Sequence, residues 1–155
     1  MKAAVVYYTR FGHNTVIART IAEKLGAEQF RIETPGDPIF PVMGFCSWFN
    51  VRMKVKSMKT DFSNYDLVVL CLPIWAWKPA PPGRTFLNEA KLPRKLALSF
   101  STGGGPIQRA EEKTRELLQG RDIEIVAVGE INTDKADEEY LKTEAKAFAE
   151  RLASG

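Results

Sequence analysis

Three short stretches of the chain hold residue types that could do chemistry: "TRFGHNT" at 9–15, "PIWAWK" at 73–78 and "STGGG" at 101–105. In the first, a helix starting near Asn14 leaves backbone N–H groups unpaired and turns the positive end of its dipole toward the loop. Thr9, Asn14 and Thr15 add hydroxyl and amide donors, and Gly12 lets the backbone approach an anion closely. Such a loop suits a phosphate monoester without any lysine. The same residues serve equally well as an ordinary helix start, with Asn14 or Thr15 as the cap. In the second stretch Trp75 and Trp77 stand two apart in a proline-bounded turn. Two tryptophans there suit stacking on a flat ring, or one of them plugs the core. In the third, Gly103, Gly104 and Gly105 offer N–H groups at close range, or form a flexible turn before a helix near Pro106.

The elements around these stretches give them a common position. "KAAVVYY", "DLVVLCLP", "KLALSFS" and "IEIVAVGEI" are short apolar runs that predict buried strands, and "EQFRIE" predicts a weaker one. Ile17, Ile21 and Leu25, with Ala18 and Ala22, mark one helix face, and Gly26 marks its end. Further helices are predicted over 81–89, from Ile107 to Leu118, and along Leu141, Ala145, Phe148 and Leu152. Five strands separated by helices imply an α/β fold: a mostly parallel sheet covered on both faces. Ligands of such sheets bind beyond the carboxyl ends of the strands, where all three stretches fall.

One segment breaks the alternation. Residues 35–65 are longer than a simple crossover needs. "PGDPIFPVMGF" predicts an ordered loop, followed by a helix with Trp48, Val51, Val55 and Met58 inward and Arg52, Lys56 and Lys59 on another face. No repeat or linker divides the 155 residues, which predict a single domain.

Composition narrows the function classes. A formal charge of +3 calls for no nucleic acid, and no run of 18 apolar residues predicts membrane insertion. The start "MKAAVVYY" lacks a signal-peptide pattern, and Cys46 and Cys71 form no CxxC pair, so a reducing cytoplasm is expected. Cys71 reads as a small buried hydrophobe. No metal-ligand spacing is present, and no residue stands out as a catalytic acid or base. The P-loop and dinucleotide glycine patterns are missing, as are G-x-S-x-G and the strand-end acids of a phosphoacceptor domain.

Together the loops suit a phosphate, a planar ring and polar ring edges, which describes flavin mononucleotide (FMN). "YYTRFGHNTVIARTIAEKL", "DLVVLCLPIWAWKPAPPGRTFLNEA" and "LALSFSTGGGP" resemble the first strand and phosphate loop, the third strand and flavin-flanking loop, and the last flavin loop of the flavodoxin family. The resemblance implies a flavodoxin-like three-layer α/β/α sandwich whose five-stranded parallel sheet runs 2-1-3-4-5, with non-covalent FMN. It places Thr9, Arg10, Phe11, Gly12, His13 and Asn14, followed by Thr15, at the phosphate. Pro73, Ile74, Trp75, Ala76, Trp77 and Lys78 flank the flavin ring, with Trp75 or Trp77 stacked on it. Ser101, Thr102, Gly103, Gly104 and Gly105 border its pyrimidine edge. The family pattern usually has hydroxyl residues where Phe11 and Asn14 stand; Asn14 still donates hydrogen bonds.

Two functions follow. One is a redox module, either an electron carrier or an FMN-dependent oxidoreductase acting on NAD(P)H or a quinone. The other keeps the fold without FMN, as a binding or regulatory module. Family carriers tend to be acidic, whereas this chain groups Arg52, Lys54, Lys56 and Lys59, which leaves room for an anionic redox partner or a nicotinamide.

Overall fold

The computed structural model describes residues 1–36, 53–134 and 136–155. Its elements run β1 (Ala3–Tyr7), α1 (His13–Leu25), β2 (Glu28–Arg31), β3 (Leu67–Trp75), β4 (Lys78–Pro79), α2 (Pro81–Glu89), β5 (Lys95–Thr102), α3 (Gln108–Leu117), β6 (Glu124–Asn132) and α4 (Glu138–Ser154). The main sheet is parallel in the order β2-β1-β3-β5-β6, and β4 folds back antiparallel on the end of β3. Setting the two-residue β4 aside, the five parallel strands stand in the expected 2-1-3-4-5 order.

Strand alternation divides the core into two layers. Val5, Val69, Cys71 and Ala97 face α1 and α4, where Ile17, Ile21, Leu141 and Phe148 meet them. Val6, Leu70, Leu72, Leu98 and Phe100 point the other way, to Phe86 and Leu87 of α2 and Ala110 of α3. This is the three-layer sandwich. Gly129 of β6 lets α4 lie close, because a Cβ there would stand 2.6 Å from the Phe148 ring. Cys71 is fully buried, and burial pushes its thiol up to about 12, so it serves as packing and not as a nucleophile.

Two expectations change. β3 runs on through Trp75, so that residue ends a strand and does not lie on a free loop. The helix expected in the 35–65 segment does not reach 53–60, which contains no helical residue. Met53 and Val55 are partly buried while Lys54 and Lys56 are exposed, the alternation of an extended chain. The Lys56 N–H donates to the Glu33 carbonyl (2.7 Å), and the Met53 carbonyl accepts from the Thr85 hydroxyl (2.7 Å). These bonds hold the strip between the β2 end and α2. Trp48, Val51, Arg52, Cys46 and the loop expected from 37 onward lie outside the described residues.

The helix that follows the hairpin is fixed at its far end. Arg121 donates to the Leu87 and Ala90 carbonyls, both at 2.6 Å, and so satisfies acceptors that α2 leaves open. Arg121→Ala should destabilise the protein by about 1.5–3 kcal/mol, the worth of hydrogen bonds to a charged donor. Urea unfolding checks this: a lower midpoint at unchanged slope is expected, and an unchanged midpoint would contradict the role given to Arg121.

Candidate functional site

The carboxyl ends of β1, β3 and β5 lie side by side at one edge of the sheet. From β1 the chain crosses to β2 on one side, and β3 lies on the other, so a switch point opens between β1 and β3. Here the β1–α1 loop, the β3–β4 hairpin and the β5–α3 loop meet around a cavity of about 270 Å³. Thr9, Arg10, Phe11, His13, Asn14, Pro73, Ile74, Trp75, Ser101, Thr102 and Gly103 line it.

The first loop is built around a bare helix start. Gly12 is the N-cap of α1, with φ of 92° and no side chain to cap with. Neither Asn14 nor Thr15 caps the helix, and no acidic residue stands in its first turn. The Gly12 N–H is taken by the Thr9 hydroxyl at 2.9 Å, which closes the turn. A Cβ on Gly12 would meet nothing within 4 Å, so backbone conformation is what requires glycine there. The first-turn N–H groups and the helix dipole thus face the loop with no acidic residue in that turn to offset them.

Asn14 has a different task. Fully buried, it donates both amide hydrogens, one to the Tyr8 carbonyl (3.1 Å) and one to the Ser101 hydroxyl (3.0 Å). It therefore ties the end of β1 to the end of β5 across β3. Its Oδ1 is buried with no hydrogen-bond partner among the described residues.

The hairpin carries backbone strain. Ala76 and Trp77 have φ of 48° and 61°, the left-handed pair of a primed two-residue turn. Glycine and asparagine usually fill such positions; a tryptophan in this region is strained by about 1–2 kcal/mol. Trp75 packs edge-on against Tyr8, with centroids 5.7 Å apart at 85°, and lines the cavity. Trp77 is 45% exposed at the hairpin tip.

In the third loop the Gly104 N–H donates to the Thr102 hydroxyl at 3.1 Å, while a Cβ on Gly103 or Gly105 would enter open space. The Thr102 carbonyl accepts from both the N–H (2.8 Å) and the hydroxyl (3.1 Å) of Thr133. Thr133, which also lines the cavity, went unseen in the sequence. It follows β6, and only the β5–β6 register brings it here.

Of the other expected site residues, Gly12, Thr15, Ala76, Trp77, Lys78, Gly104 and Gly105 surround the cavity without lining it. His13 is the first residue of α1 and half-buried at the cavity wall. Among the described residues no group of three His, Cys, Asp or Glu side chains could hold a metal ion. Nor is any described helix long and apolar enough to cross a membrane.

No family model matches the chain, and no curated protein matches its sequence. Solved structures do match. A flavoprotein from Lactobacillus acidophilus NCFM in complex with FMN is 18% identical, with a TM-score of 0.70 over 83% of this chain and 92% of that one. A provisionally named flavoprotein from Bacteroides eggerthii DSM 20697 is 18% identical, with a TM-score of 0.74 over 98% of each chain. Oxidised flavodoxin 2 from Bacillus cereus is 19% identical, with a TM-score of 0.63 over 99% of each. The chain has the flavodoxin-like fold.

The Asn14 tie is testable without a ligand. Asn14→Asp should destabilise more than Asn14→Ala at neutral pH, because a buried carboxylate would face the Tyr8 carbonyl. Burial raises the folded-state pKa of that Asp above its unfolded value. The penalty is therefore full above the folded pKa and shrinks as pH falls toward the unfolded value of about 3.9. Urea midpoints for both variants across pH check this; a pH-independent gap would contradict the buried tie.

Proposed function

We propose that this protein holds FMN non-covalently in the cavity at the ends of β1, β3 and β5 and serves in electron transfer. The observation that carries the reading is the convergence of three loops on one cavity: an uncapped helix start, a tryptophan and open glycines. The FMN complex of the Lactobacillus flavoprotein, which shares the fold, supports it.

The residues fit the group. The first-turn N–H groups of α1, with the turn closed by Thr9, suit a phosphate dianion. Asn14 Oδ1 has no donor among the described residues, and a ribityl hydroxyl would supply one. Trp75 offers a flat apolar wall, and the open Gly103 and Gly105 allow backbone to approach the polar ring edge. Phe11 departs from the family pattern, but at 71% exposure its ring does not fill the cradle. A cavity of about 270 Å³ is small beside the roughly 300–1,000 Å³ of enclosing ligand pockets. A cavity of that size would enclose only part of a flavin, and the exposed Phe11 and Trp77 stand on two of the loops around it.

Bound flavin supplies the redox chemistry. The chain binds the phosphate, orients the ring and shields one side from water. The reading covers both an electron carrier and an NAD(P)H-dependent reductase, in a soluble setting. Anaerobic mixing of the FMN-loaded protein with NADPH or NADH separates them. Rapid bleaching marks a reductase; reduction only through a separate reductase marks a carrier.

Two outcomes test the site. Calorimetric titration should find FMN bound at least about 100-fold more tightly than riboflavin, the worth of one or two charge-assisted hydrogen bonds. Equal affinities would sink the phosphate cradle. Trp75→Ala should weaken FMN roughly tenfold, in line with about 1–1.5 kcal/mol for a ring contact, and restore flavin fluorescence. Trp77→Gly relieves the left-handed strain, so its apo form should be at least as stable as the parent while its flavin becomes more solvent-accessible. If neither variant changes affinity or quenching, the hairpin does not flank the ring.

A further inference from the structure

Thr133 stands one residue past the β5–β6 ladder, whose last pair is Thr102 with Asn132. It is half-buried and lines the cavity together with Thr102 and Gly103. Its N–H and its hydroxyl both donate to the Thr102 carbonyl, at 2.8 and 3.1 Å. A carbonyl oxygen has two lone pairs, so that of Thr102 is fully used and has nothing left for a ligand. A hydroxyl has one hydrogen and two lone pairs, so Thr133, its hydrogen spent, meets the cavity as an acceptor. The side chains of the third loop are already engaged. The Thr102 hydroxyl accepts from the Gly104 N–H at 3.1 Å and donates to Glu130 Oε1 at 3.5 Å. The Ser101 hydroxyl accepts from the Asn14 amide at 3.0 Å. No described residue takes the N–H of Gly103 or Gly105. This side of the cavity thus offers the Thr133 oxygen as an acceptor, in company with backbone donors.

We propose that Thr133 Oγ1 is a specificity-determining group that accepts a hydrogen bond from the imide N–H of the flavin ring. This rests on the FMN reading above. The pyrimidine edge of a flavin presents one donor, the imide N–H, between two carbonyl acceptors. Its carbonyls suit the N–H groups of the glycine loop, and its donor needs the acceptor that Thr102 no longer supplies. Asn14 Oδ1 is also open, but it belongs to the start of α1, the phosphate side of that reading. A site that spends a fixed acceptor on one ligand hydrogen disfavours the analogue that lacks it, because the acceptor is then left unpaired.

The test titrates the whole chain with FMN and with 3-methyl-FMN, in which a methyl group replaces the imide hydrogen. Thr133→Val keeps the side-chain shape and the backbone N–H to Thr102 but removes the hydroxyl. It should weaken FMN about tenfold, the worth of one hydrogen bond, and should not weaken 3-methyl-FMN, which has no donor to lose. Thr133→Ser should restore the parent affinity for FMN. In NMR of FMN labelled with nitrogen-15 at the imide, the bound N–H should exchange with water faster in Thr133→Val than in the parent or Thr133→Ser. Equal weakening of both ligands by Thr133→Val would overturn the proposal, since Thr133 would then only anchor the loop. Unchanged FMN affinity and imide exchange in Thr133→Val would overturn it too, by placing the imide on another acceptor while FMN still binds. Failure of the folded parent to bind FMN at all would remove the FMN reading itself, and this proposal with it.

Discussion

The site depends on one buried amide. Asn14 spends both of its N–H groups on tying the Tyr8 carbonyl at the end of β1 to the Ser101 hydroxyl at the end of β5. β3 lies between those strands, so the tie spans the mouth from which the hairpin emerges. The sheet ladder already pairs the backbones of these three strand ends, and Asn14 adds a side-chain tie between the outer two. With it, an uncapped α1 faces a cavity of fixed outline. A buried side chain that satisfies two partners and leaves its own acceptor open is a costly choice for structure alone. On the proposed reading, a hydroxyl of the bound ligand would complete it.

The rest of the fold supports that arrangement from outside. α1 and α4 cover one sheet face, and α2 and α3 the other. Arg121 fixes the end of α2, and the Thr85–Met53 bond fastens the strip before β3 to the same helix. The hairpin is thus held firmly at its base, which is what lets strained backbone persist at Ala76 and Trp77. Strain placed next to a cavity, on residues no ordinary turn would choose, fits a hairpin shaped for a ligand more than for stability.

Much of this was legible in the sequence because parallel strands announce themselves. Runs such as "LVVLCL" and "LALSFS" are buried on both faces, and their ends place the loops without further information. The roles within a loop were not legible. Asn14 reads equally as a cap or a donor to phosphate, and it is neither in the described contacts; its partners Tyr8 and Ser101 come from other strands. The turn around Trp75 and Trp77 was legible, but the antiparallel β3–β4 pairing was not, because Ala-Trp is not a hairpin pair that residue preference selects. Thr133 was invisible since register, not pattern, delivers it. The helix expected beyond Lys54 failed for a plainer reason: Met53 and Val55 fit an alternating strip as well as a helical face, and tertiary hydrogen bonds chose the strip.

The central claim is that the bare start of α1 receives the phosphate of FMN. Phosphorus NMR of the FMN-loaded protein across pH tests it most directly. Free phosphate monoesters take up their second proton near a pKa of about 6. N–H donors and the helix dipole favour the dianion, so the bound resonance should be shifted from that of free FMN and should not titrate between pH 5 and 8, roughly one to two units either side of that value. A bound signal that titrates as free FMN does would place the phosphate in solvent and contradict the account.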